Sequence, residues 1–181
     1  MQTYIAMLRG INVSGQKKIK MVDLRAYLEE LNFLNIQTYI QSGNIIFDHA
    51  QVDPGILEDN IKEKVLEKYG FEVPTTVKLP SEFNYVLNNN PFLKEHDMDP
   101  KRIFVTFLYE IPAAEYIEKL KEVDYTPEEY ILDGKNIFFF SPHGYGKAKM
   151  SNNFFENKLK VFATTRNWRT VNKLYEMANE K

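Results

Sequence analysis

An α+β fold, built twice over, is what this sequence predicts. Two observations carry it. Apolar spacing switches between strand-like and helix-like periods in the order β-α-β-β-α-β, and that order is read once before residues 90–100 and once after them. The two central hairpins also match in letters: Tyr39-Ile40-Gln41-Ser42-Gly43-Asn44-Ile45-Ile46-Phe47 lies against Tyr130-Ile131-Leu132-Asp133-Gly134-Lys135-Asn136-Ile137-Phe138, with one residue inserted. Right-handed crossovers then give two ferredoxin-like halves in tandem, with an extra helix at the C-terminal end.

The elements follow in order. Thr3 to Arg9 is a strand, and Val22 to Leu31 a helix whose apolar face is Val22, Leu24, Leu28 and Leu31. The hairpin Gln37 to Phe47 precedes a second helix, Asp53 to Tyr69, with Ile56, Leu57, Ile61, Val65, Leu66 and Tyr69 turned inward. Pro74 to Leu79 closes the first half as a strand, and Ser81 to Leu87 adds a short helix before Asn88-Asn89-Asn90-Pro91 breaks the pattern. The second half reads as strand Arg102 to Tyr109, helix Pro112 to Val123, hairpin Tyr130 to Ser141, helix Asn152 to Lys160 and strand Val161 to Thr165, then the final helix Trp168 to Ala178. Between Asn90 and Pro100 the Pro and Asx residues cluster, so the halves are taken as 1–94 and 95–181.

Composition narrows function mainly by exclusion. The chain has 181 residues and no cysteine, so it offers no disulfide, thiolate zinc site or cysteine nucleophile, which fits a reducing compartment. Nothing approaches the roughly 20 apolar residues of a membrane helix, and the N-terminal residues lack a signal-peptide pattern, so a cytoplasmic location is expected. The histidines His49, His96 and His143 are scattered; Asp97 and Asp99 run into Pro100 without the rest of a calcium loop; and no serine sits in a nucleophile-elbow frame. Neither a metal nor a cofactor is expected.

Net charge is −2, but it is unevenly distributed. Residues 95–133 hold eleven acids against four bases, whereas residues 135–173 hold eight bases against one acid. A second basic run, Arg9 to Arg25, holds five bases against one acid. Side by side, the two basic runs would give a nearly neutral protein a strong local positive field.

Two polar loops lie within those basic runs. Arg9-Gly10-Ile11-Asn12-Val13-Ser14-Gly15 follows a buried strand and precedes Lys17, Lys18 and Lys20. Glycines bracket small polar residues there, a setting in which backbone N–H groups can converge on an anion. The Gly10-x-x-x-x-Gly15 spacing misses the phosphate-loop motif, because Gln16 and Lys17 stand where Lys and Ser or Thr belong. The competing explanation is a wide strand-to-helix connection with glycines at positive φ and Arg9 in a structural ion pair. The other loop is Thr164-Thr165-Arg166-Asn167-Trp168-Arg169-Thr170, where Asn167 can cap the last helix and Arg166 and Arg169 flank its positive end. Lys147 and Lys149 would extend it. The plainer alternative is that Asn167 only caps, Trp168 anchors the helix and the arginines face water. In Gln41-Ser42-Gly43-Asn44 a hairpin turn is sufficient explanation.

Rings on the predicted central strands, Phe104, Phe107 and Tyr109 with Phe138, Phe139 and Phe140, raise an RNA-recognition platform as a reading. The basic-Gly-aromatic-Gly start of that signature is missing, and core packing explains the rings more simply.

Longer motifs then set the chain in a family. Tyr4-Ile5-Ala6-Met7-Leu8-Arg9-Gly10-Ile11-Asn12-Val13, Lys20-Met21-Val22-Asp23-Leu24-Arg25, Thr38-Tyr39-Ile40-Gln41-Ser42-Gly43-Asn44, and Thr165-Arg166-Asn167-Trp168-Arg169-Thr170-Val171 with Lys173-Leu174 resemble the bacterial family known as domain of unknown function 1697. The resemblance spans almost the whole chain. It implies a soluble α+β protein with two ferredoxin-like halves, and no established activity. At Ala148 the sequence departs from the family pattern, which has a Ser before the second lysine.

The expectation is therefore a binding module for a phosphate-bearing ligand, a nucleotide or nucleic acid, held in a basic cleft between the halves. Arg9, Asn12, Lys17, Lys18 and Lys20 would come from the first half, and Lys147, Lys149, Arg166, Asn167 and Arg169 from the second. Two alternatives stand beside it. One is an enzyme on a phosphorylated or nucleotide substrate, with Asp48 or Asp133 as candidate base. The other is a scaffold whose acidic segment, Glu95 to Asp133, meets a basic partner.

Overall fold

A computed structural model describes residues 1–13, 15–94 and 98–180. Glu95, His96 and Asp97 of the expected linker, and Ser14 of the first polar loop, lie outside the described residues. The chain divides into two compact units, Met1–Tyr85 together with the stretch from Lys173, and Val86–Asn172.

The first unit contains β1 (Gln2–Leu8), α1 (Met21–Glu29), β2 (Leu34–Tyr39), β3 (Asn44–His49), α2 (Pro54–Tyr69) and β4 (Thr75–Lys78). They form an antiparallel sheet in the order β2-β3-β1-β4, the ferredoxin-like arrangement expected. Asp53 starts α2 by accepting the Gly55 N–H at 2.8 Å, with Pro54 in the first turn, and Gly70 ends it at φ 74°. Tyr4, Ala6 and Leu8 of β1 pack with Leu24 and Leu28 of α1 and with Leu57, Ile61 and Val65 of α2. The inward stripe differs from the expected one: Met21 is buried while Val22 is 65% exposed, and Ile56 and Leu66 also face outward. Burial follows the i, i+4 row 57-61-65 and leaves its neighbours off the face.

After α3 (Pro80–Asn88) comes a short helix not read from sequence, α4 (Pro91–Lys94), started by Asn90, whose side-chain oxygen accepts the Phe92 N–H. The second unit continues with β5 (Ile103–Leu108), α5 (Ala114–Lys121), β6 (Glu129–Asp133), β7 (Asn136–Phe140), α6 (Asn152–Leu159), β8 (Ala163–Asn167) and α7 (Trp168–Asn179), which crosses the unit boundary. Its sheet order is β6-β7-β5-β8, the first sheet repeated. Phe104 and Leu108 pack with Ile137, Phe139, Phe155 and Leu159 in a core of its own.

Strand pairing fixes the duplication residue by residue. Met7 stands opposite Asn44 as Phe107 stands opposite Asn136, and Ile5 opposite Lys78 as Val105 opposite Arg166. The letter match between the hairpins holds for β3 and β7, but on the first strand of each it is out of register. Tyr39 pairs with Asn44 where Asp133 pairs with Asn136, because four residues join β2 to β3 and only two join β6 to β7.

Both faces of each sheet are covered. Ile5, Met7 and Ile46 on one sheet, and Val105, Phe107 and Phe138 on the other, are at most 1% exposed. Phe92 of α4 lies 6.2 Å from Phe140. The rings of Phe104, Phe107, Phe138 and Phe139 are buried, so these four are not open to stacking bases.

Candidate functional site

The first polar loop is a small hairpin closed on itself. Gly10, Asn12, Gly15 and Lys17 all have positive φ, the Gln16 N–H donates to the Val13 carbonyl at 3.0 Å, and the Asn12 N–H donates to the Lys17 carbonyl at 3.2 Å. Those two N–H groups serve the turn. Asn12 acts as a clasp. Its Nδ2 donates to the Ile19 carbonyl at 2.8 Å and to the Gln41 carbonyl at 2.7 Å, while its Oδ1 accepts the Ile19 N–H at 2.9 Å. Lys17 folds back too: its Nζ donates to the Glu72 carbonyl at 2.7 Å and lies 5.8 Å from the centre of the Phe71 ring. Arg9 is half-buried where β1 ends, and Lys18 and Lys20 are exposed.

The hairpin turn at 40–43 is part of the same corner. Leu8 donates its N–H to the Gly43 carbonyl, and a Cβ on Gly43 would lie 2.7 Å from both Leu8 Cβ and Ile11 Cδ1. Gly43 is therefore required by close approach as well as by its φ of 74°.

In the second unit the basic residues gather at one end of the sheet, where β5 begins and β8 ends. Asn167 caps α7: its Oδ1 accepts the Thr170 N–H at 2.8 Å, as its position in the sequence indicated. Trp168, the first helical residue, is buried, and Arg169 is exposed beside it. Lys147 and Lys149 are also exposed, on a loop shaped by a buried carboxylate. Glu128 takes the Lys149 N–H on one oxygen at 2.8 Å and the Met150 N–H on the other at 2.9 Å.

Arg166 departs from both readings of it. Its residue is only 9% exposed, with Nη1 donating to Thr164 Oγ1 at 2.8 Å and to the Thr165 carbonyl at 3.0 Å. Burial pushes the guanidinium down to about 10, and the nearby Tyr145 hydroxyl opposes that shift. It neither faces water nor stands at the surface beside Arg169.

One residue was missed in the sequence. Arg102 lies over Gly144 so closely that a Cβ there would come within 2.8 Å of Nη1, and Gly144 has φ 81°. Gly144 opens the turn carrying Tyr145 and Lys147, so a guanidinium joins the lysine loop. The sequence signal was Gly144 itself, a glycine at the foot of a basic loop.

Of the candidate bases, Asp48 is buried and accepts Thr3 Oγ1 and Asn35 Nδ2, each at 2.8 Å, which makes it a link between β1, β2 and β3. Among the described residues no three His, Asp or Glu side chains could hold a metal ion, and no helix is long and apolar enough to cross a membrane.

The model of a family described as protein of unknown function (DUF1697) matches residues 1–138. The chain belongs to this family. A conserved bacterial protein of Streptococcus pneumoniae has a similar solved structure, with a TM-score of 0.75, 24% identity and 98% of each chain covered, a likeness in fold. No curated protein matches the chain. In this DUF1697 protein the matched span contains the Asn12 corner, where the motifs at 4–13 and 38–44 meet through Asn12, Gln41 and Gly43. The basic end of the second unit, from Lys147 to Arg169, follows the matched span.

Proposed function

We propose that this protein binds a phosphate-bearing ligand, a nucleotide or a nucleic acid, through exposed cations presented by each unit. The observation that carries it is the end of the second unit, where Lys147, Lys149 and Arg169 are exposed, Arg102 lies on the Gly144 turn, and the Asn167-capped start of α7 contributes its dipole. In the first unit Lys18 and Lys20 are the contacting cations, while Asn12 and Lys17 shape the loop and Arg9 stands half-buried behind it. Arg166 acts as buried charge near the site. It would not touch a phosphate.

Titrating the protein with a labelled single-stranded RNA, the matching DNA and a nucleotide tests this. If four phosphates are engaged, affinity for a single strand falls roughly 50-fold between about 50 and 200 mM salt. Lys147→Ala or Arg169→Ala should each lower the salt slope by about 0.7. Affinity indifferent to salt and to both substitutions would sink the proposal.

A further inference from the structure

The acidic segment has a place in the fold that the anion site does not use. Its last residues are β6, the outer strand of the second sheet, paired only with β7 among the described residues. The other three outer strands each carry a device against further pairing. β2 is broken by a register shift between Leu34 and Gln37, with Asn35 at φ 51°. On β4 the Val77 N–H is taken by the buried Glu58 carboxylate at 2.8 Å, and on β8 the Ala163 N–H is taken by Glu156 at 2.9 Å. β6 runs in unbroken register from Glu129 to Asp133.

Its side chains are patterned as well. Tyr130 and Leu132 face the unit's core, leaving Glu129, Ile131 and Asp133 on the other face, with Glu129 exposed and Ile131 39% exposed. The two-residue turn makes Asp133 and Asn136 a hydrogen-bonded pair, so by alternation the Tyr130 and Leu132 backbone groups point away from β7.

The geometry points to β6 as a docking edge for an extended peptide of a partner protein, one with two basic residues flanking an apolar residue on one face. Such a strand would pair its backbone with Tyr130 and Leu132 and set its cations beside Glu129 and Asp133. Charge argues against a second copy of this chain. Antiparallel pairing centred on Ile131 would place Glu129 opposite Asp133 twice.

A fluorescent peptide, Gly-Lys-Thr-Val-Thr-Lys-Gly, is the probe, with the intact protein as receptor. Binding should be read by anisotropy, with slowed amide exchange at Tyr130 and Leu132. Glu129→Lys should weaken it about tenfold. Since any substitution can disturb folding, a second arm alters only the probe: methylating its backbone nitrogens should abolish binding, and replacing its lysines with glutamates should do the same. Three results overturn the inference. They are absence of binding by the lysine peptide, equal binding by its N-methylated form, and protection of Tyr130 and Leu132 that instead tracks protein concentration, which would assign the edge to self-association.

Discussion

At the scale of single residues, several polar side chains have structural duties that their letters do not announce. Asn12 makes three hydrogen bonds across two loops, so Asn12→Ala should lower stability by about 2–3 kcal/mol in urea unfolding. Gly43→Ala should cost at least about 2 kcal/mol, because the added methyl meets Leu8 and Ile11 and the backbone is left-handed; an unchanged midpoint would contradict the geometry. Asn167→Ala removes a cap and should cost about 1 kcal/mol. Tyr69 supplies a pH dependence. Burial, followed by the nearby Asp23 charge and then Tyr27, lifts its hydroxyl from 10.0 to about 12. A raised value in the folded state means the neutral hydroxyl is favoured there. This contribution is complete below pH 10 and fades as pH rises towards 12. Tyr69→Phe should therefore flatten part of the alkaline decline in stability, and superimposable alkaline limbs for the two proteins would refute it.

At the scale of elements, periodicity was a reliable guide to the strands and helices, because each buries a regular stripe against one sheet. The short helix α4 was hidden by its own punctuation: Asn90 and Pro91 read as a breaker, yet the same pair is a sound way to begin a helix. The inward faces of α1 and α2 were partly misread because Val22, Ile56 and Leu66 are apolar but stand beside the buried rows, a distinction only packing makes. Of the candidate site, the cap at Asn167 was legible, since a cap is local chemistry. The fate of Asn12, Lys17 and Arg166 was not, because their partners or their burial depend on contacts that spacing alone does not fix. The strands also differ in how they should exchange. β1 and β5 are paired on both sides and buried, so their amides should exchange slowest, with Tyr130 and Leu132 of β6 much faster; slow exchange along β6 in the isolated protein would mean its edge is already covered.

At the scale of the molecule, the net charge of −2 conceals segments of opposite sign, and behaviour on charged surfaces should follow the segments. The protein should be retained at neutral pH both by an anion exchanger and by a heparin column. Lys147→Ala with Arg169→Ala should advance elution from heparin alone. If net charge governs instead, both columns will respond together and heparin will retain little. The duplicated fold makes such separation workable, since each half has its own core and its loops can vary without disturbing the register of the sheet. One buried side chain gives this system an optical readout. Trp168 is the only tryptophan in the chain, and it opens α7 between Asn167 and Arg169. Its fluorescence is therefore a label already in place: a ligand arriving at the helix start should change the emission of a single known ring, with no dye attached and no other indole to subtract.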